Sequence, residues 1–101
     1  MSETKLVLRP LIGLMSAMPP EEIERHVVQE IEKHRRLRDE AVVLESRIDH
    51  ASKLQRNQID IQEASRAYVS AMIAVHAQQT VVSTLLDILG YIPDMPGTKA
   101  H

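Results

Sequence analysis

The sequence predicts an all-α fold: a long antiparallel helical hairpin that homodimerises into a four-helix bundle, with a short extended or helical N-terminal segment. Three observations carry that prediction. Ile61, Ser65, Tyr68, Met72, Val75, Gln79, Val82, Leu86 and Leu89 are spaced four, three, four, three. A second stripe lies one residue over, through Ala64, Ala67, Ala71, Ala74, Gln78, Val81, Leu85 and Ile88. A third, through Leu37, Ala41, Leu44, Ile48 and Ala51, repeats the same spacing earlier in the chain. One apolar stripe is satisfied by one partner helix, whereas two adjacent stripes cover nearly half a helix surface and need several. A single copy of the chain supplies too few, so a second copy is expected.

Each element has its own local reason. Residues 1–18 form an N-terminal segment in which Pro10 pushes Arg9 towards extended geometry. Pro10 also suits the first turn of a short helix through Leu11, Ile12, Leu14 and Met15, which Gly13 weakens. Met18-Pro19-Pro20-Glu21-Glu22 starts the first long helix, with proline in the opening turn and acids near the positive end of the helix dipole. That helix is expected over residues 20–54, its stripe extended backwards through His34, Ile31, Val27 and Ile23. Its opposite face carries Glu24, Arg35, Arg38, Asp39, Glu45 and Lys53 and is expected to be solvated. Gln55-Arg56-Asn57-Gln58 is the break, with Asn57 expected as the residue in a left-handed conformation. The second long helix is expected over residues 58–89, stopped by Gly90 and barred from continuing by Pro93. Residues 94–101 are expected to be a flexible tail. Gln78 and Gln79 place a polar layer in the two stripes, a device that fixes register in bundles.

Composition narrows the function. The chain has 101 residues, two aromatic side chains (Tyr68 and Tyr91) and no cysteine. One small domain is expected, without aromatic walls for a planar ligand, without a disulfide framework and without thiolate chemistry. A formal net charge of -2 argues against a nucleic-acid binder. The first residues do not read as a signal peptide, and no uninterrupted apolar run approaches the roughly 20 residues of a membrane span. A soluble cytoplasmic protein with no membrane partner is expected.

Candidate chemistry is sparse. Glu22, His26, Glu30 and His34 recur every four residues, but a bundle metal site needs Glu and His three apart and further carboxylates on neighbouring helices. The pattern reads as ion pairs one turn apart, so no metal is expected. His34 and His76 read as hydrogen-bonded residues at the bundle edge. No Ser/His/Asp or Cys/His constellation, phosphate loop or carboxylate pair is present, so no catalytic residue, cofactor or enzyme activity is expected. Lys33, Arg35, Arg36 and Arg38 form a basic cluster, flanked by Glu30, Glu32, Asp39 and Glu40. Leu6-Val7-Leu8 and Leu11 to Met15 are too apolar to dangle in water. They either lie in a groove of their own bundle or are offered to a partner. Tyr91-Ile92 poses the same choice, with packing over the helix end favoured.

Five segments, in order, carry a family resemblance: Arg9-Pro10-Leu11-Ile12-Gly13-Leu14, Pro19-Pro20, His34-Arg35-Arg36-Leu37, His76-Ala77-Gln78 and Ile88-Leu89-Gly90-Tyr91-Ile92-Pro93. Together they resemble TraM, the quorum-sensing antiactivators of conjugative plasmids in rhizobia and agrobacteria. The likeness spans nearly the whole chain and is poorest from Ser46 to Ala67. It implies a small all-helical homodimer without catalysis, metal or cofactor. Its implied partner is TraR, a LuxR-type activator responsive to an acyl-homoserine lactone. Binding stops the activator from holding promoter DNA and keeps transfer genes off. The unrelated DNA-binding TraM of F-like plasmids is a different protein.

These two lines of reasoning yield a candidate site. The expected partner-binding residues are Arg9, Pro10, Leu11, Ile12, Leu14, Met15, Leu89, Tyr91 and Ile92, rimmed by His34, Arg35 and Arg36, facing the activator's DNA-binding domain. The expected bundle and dimer core is Leu37, Leu44, Ile48, Tyr68, Met72, Val75, Val82, Leu85, Leu86 and Leu89. Two alternatives compete. One is a hairpin dimer that binds nucleic acid through the Lys33–Arg38 ridge. The other is an enzyme, because Leu44 to Asp49 is faintly similar to the first helix of all-helical chorismate mutases. Such sites need several convergent cations, and the second helix offers only Arg66.

Overall fold

The computed structural model describes residues 7–55 and 57–95. Leu6, Arg56 and residues 96–101 of the expected tail lie outside the described residues. Three helices account for the regular structure, and the described residues contain no strand: α1 Arg9–Met15, α2 Pro20–Lys53 and α3 Gln58–Leu89. The fold is all-α.

Local chemistry explains the ends. Leu8 is extended before α1, and its carbonyl accepts the Leu11 N–H at 3.0 Å, with Pro10 in the first turn, where no N–H is needed. The Pro19 carbonyl accepts the N–H groups of Glu22 and Ile23 at 3.0 and 3.2 Å, opening α2. Glu21 and Glu22 then lie in its first turn. Gly90 ends α3 with φ +90°, and its N–H reaches the Leu86 carbonyl at 2.8 Å, capping a carbonyl left open by the helix end.

The link between α2 and α3 departs from expectation. Gln55, at φ 56°, takes the left-handed conformation, not Asn57. The Asn57 Oδ1 instead accepts the Asp60 N–H at 2.8 Å, so the side chain caps α3. An asparagine three residues before an acidic first turn satisfies an otherwise open helix donor. A cap residue takes a non-helical, extended-type backbone, which is incompatible with a left-handed turn at the same position.

The chain divides into two compact units, one from Met1–Glu32 with Gln79–His101 and one from Lys33–Gln78. The core of the first contains Met15, Ile23, Val27 and Leu85, with Leu11, Met18, Ile31, Val81, Leu86, Ile88 and Leu89 packed against it. Val27 and Thr84 are wholly buried. In the second unit Ala41, Val75 and Gln78 are buried, while Leu37, Leu44, Ile48, Tyr68 and Met72 are half-buried. Every position of the α2 stripe from Ile23 to Ala51 is thus buried or half-buried. In the expected glutamine layer, Gln78 turns inward and Gln79 is exposed, so the polar layer has one inward member.

By length and composition α3 is apolar enough to cross a membrane, and residues 67–86 contain no Asp, Glu, Lys or Arg. Core helices of water-soluble proteins pass the same test. Its apolar sequence is interrupted by His76, Gln78, Gln79, Thr80, Ser83 and Thr84, of which Gln78 and Thr84 are buried.

Candidate protein-interaction site

In the first unit the N-terminal segment docks on its own chain. The Leu8 N–H donates to the Thr84 hydroxyl at 3.0 Å, and that hydroxyl donates to the Thr80 carbonyl at 2.8 Å. Met15 is 4% exposed and Leu11 half-buried, so both hold the segment in place. The positions between them point out. Leu14 is 74% exposed, and Ile12, Arg9 and Pro10 are exposed as well. The segment therefore divides residue by residue between its own groove and solvent, as a helix with two unlike faces must.

Beyond Gly90 the chain behaves similarly. Tyr91 donates its hydroxyl to Glu24 Oε1, and Pro93 is buried, while Ile92 is 79% exposed. Glu24 is therefore half-buried and engaged rather than part of a freely solvated face. The bond to Glu24 raises the Tyr91 pKa above its ordinary value, with burial and the charges of Glu24 and Glu21 adding to it. Leu89 packs against the core.

A cleft of about 270 Å³ opens beside α1. Leu11, Leu14, Met15, Met18, Val81 and Leu85 form its apolar walls, and His26 and Glu30 its polar edge. Sequence reasoning missed this role for His26 and Glu30, having read them only as ion pairs or metal ligands. The signal was their position one turn apart, following Met15 and Met18.

The second unit holds the remaining candidates. Lys33, Arg35, Arg36 and Arg38 are all exposed. His34 is half-buried, and its Nε2 is buried without a hydrogen-bond partner, which corrects the expectation of a hydrogen-bonded edge residue. Burial first, then the charges of Arg38 and His76, pull its pKa below the ordinary value. Val42, Val43, Val69 and Ile73 are exposed apolar residues in this unit. No group of three or more His, Asp or Glu able to hold a metal occurs among the described residues.

Comparison with known proteins adds the family. The family model for the prokaryotic transcriptional repressor TraM matches residues 1–94. The chain belongs to the TraM family. The transcriptional repressor TraM of Agrobacterium fabrum strain C58 is 38% identical over 90 residues, which cover 89% of this chain and 86% of that protein. The transcriptional repressor TraM of Rhizobium radiobacter is 37% identical over 89 residues, covering 88% and 85%. The TraM match takes in both ends of the candidate site, from Arg9 to Met15 and from Leu89 to Ile92.

Proposed function

We propose that this chain is a cytoplasmic antiactivator. It binds a LuxR-type quorum-sensing activator of the TraR kind through that protein's DNA-binding domain. Held in this complex, the activator cannot occupy its promoters, and plasmid conjugal transfer genes stay off. The observation that carries the reading is the divided N-terminal segment. Met15 and the Leu8–Thr84 bond anchor it, while Leu14 and Ile12 are left in water. Large aliphatic side chains exposed together on an anchored element form an apolar patch of the kind that marks a protein-interaction site. Membership of a repressor family supports the same direction.

The mechanism is mass action. An antiactivator that binds one state of the activator depletes the pool competent for DNA, and needs no chemistry of its own. Rigid presentation of Leu14 limits the ordering cost of binding. Arg9, Pro10, Ile12, Tyr91 and Ile92 extend this surface, and the exposed Arg35 and Arg36 are separate contact candidates in the second unit.

The working form is a homodimer in which two helical hairpins make a four-helix coiled-coil bundle. Val42, Val43, Val69 and Ile73, exposed in one copy, support it, because a second copy removes them from water. Light scattering on the purified chain, alone and with signal-loaded activator, tests both parts. A dimer mass alone and a larger joint mass with activator are expected. A monomer, or a mixture that never elutes together, rejects the corresponding part.

A further inference from the structure

Charge is unevenly distributed along this chain. Residues 7–32 and 79–95, all in the first unit, carry seven carboxylates against two guanidinium groups. Residues 33–78 carry eight basic side chains against six acidic ones. The cleft therefore lies in the acidic unit, and Glu30 stands on its edge. Its volume, about 270 Å³, is below the roughly 300–1,000 Å³ of sites that enclose drug-sized ligands. One large apolar side chain fits such a space. Met15 and Met18 give it walls that reshape around different occupants.

We infer that this cleft receives one large apolar side chain from a basic amphipathic segment of the partner, with Glu30 meeting a flanking cationic group. The inference rests on the antiactivator reading and names the chemistry that the partner must present. A carboxylate at the edge of an apolar socket in an acidic unit disfavours acidic segments by repulsion and favours basic ones, chiefly through faster association. Surfaces that hold DNA are basic because they neutralise phosphate. A segment bound here is thus one whose charge otherwise serves DNA, and the two uses exclude each other.

The test labels the methionine methyl groups with carbon-13 and titrates the full chain with signal-loaded activator. The Met15 and Met18 resonances are expected to shift or broaden, while that of Met72, which lines a different cavity in the second unit, stays in place. In parallel, Glu30→Gln is expected to weaken the complex about tenfold at low salt, with the difference shrinking at high salt. A tight complex that leaves Met15 and Met18 unmoved, or that Glu30→Gln forms equally well at low salt, overturns the inference and leaves the antiactivator reading intact. Absence of any complex removes both.

Discussion

The backbone N–H of Leu8 donates to the hydroxyl of Thr84, 3.0 Å away and 76 residues along the chain. The same hydroxyl donates to the Thr80 carbonyl, so one wholly buried oxygen both receives the N-terminal segment and fastens itself to α3. With Met15 in the core, this bond decides which residues of α1 face water.

Replacing Thr84 with valine keeps the shape and removes that oxygen. The Leu8 N–H then loses its partner in a part-buried place, which costs about 1–2 kcal/mol. Chemical denaturation is expected to show that loss, and hydrogen exchange a faster Leu8 amide. An amide protected as before means that packing alone holds the segment.

Leu14→Arg separates interface from fold. A side chain 74% exposed contributes little to stability, so the variant is expected to stay within about 0.5 kcal/mol of the parent. Its affinity for the activator is expected to fall at least tenfold, by roughly 1.4 kcal/mol or more. Anisotropy titration checks this. A folded variant with the parent's oligomeric state and unchanged affinity removes Leu14 from the site.

His34 makes stability depend on pH. Its pKa in the folded chain lies below the ordinary value, so the fold favours the neutral ring. As pH falls through about 6.5, the unfolded chain takes up the proton first. Stability is therefore full above that pH, declines below it, and levels off once the folded ring is also protonated. Arg38 on the same helix and His76 on α3 are the charged groups that oppose protonation. His34→Leu is expected to melt higher at pH 7 and to lose less on acidification. Parallel melting curves against pH for the two proteins contradict this.

Gly90 isolates a backbone effect. A Cβ added there meets nothing within 4 Å, yet φ is +90°, a conformation that costs an L-residue about 1–2 kcal/mol. Gly90→Ala is expected to lower stability by that amount, measurable by urea denaturation. No loss means that α3 ends equally well without the left-handed turn.

The all-α class was legible because periodicity depends on residue spacing alone. The stripe through Ile23, Val27 and Ala41 could be read before any contact was known, and so could the glycine stop at Gly90. Three other features depend on tertiary detail. Gln55 takes the left-handed turn, while Asn57 is spent as a cap. Thr84 lies outside both α3 stripes, and its Thr80 partner one turn earlier was the single local hint of a back-bonded hydroxyl. The divided character of α1 was hidden because Leu11, Ile12, Leu14 and Met15 are equally apolar, and only the docked geometry separates anchors from exposed residues. His26 and Glu30 were visible as a pair, but the cleft that gives them a purpose exists only when α1 folds against α2 and α3.

A gel-shift titration tests the central claim most directly: signal-loaded activator on its promoter DNA, with this chain added. The account predicts that the shifted band disappears at near-stoichiometric additions while the chain alone shifts no DNA, and that Leu14→Arg fails to clear the band. A band that survives a large excess of the folded chain contradicts the account. So does a shift of DNA by the chain alone, which points instead to the Lys33–Arg38 ridge as a nucleic-acid surface.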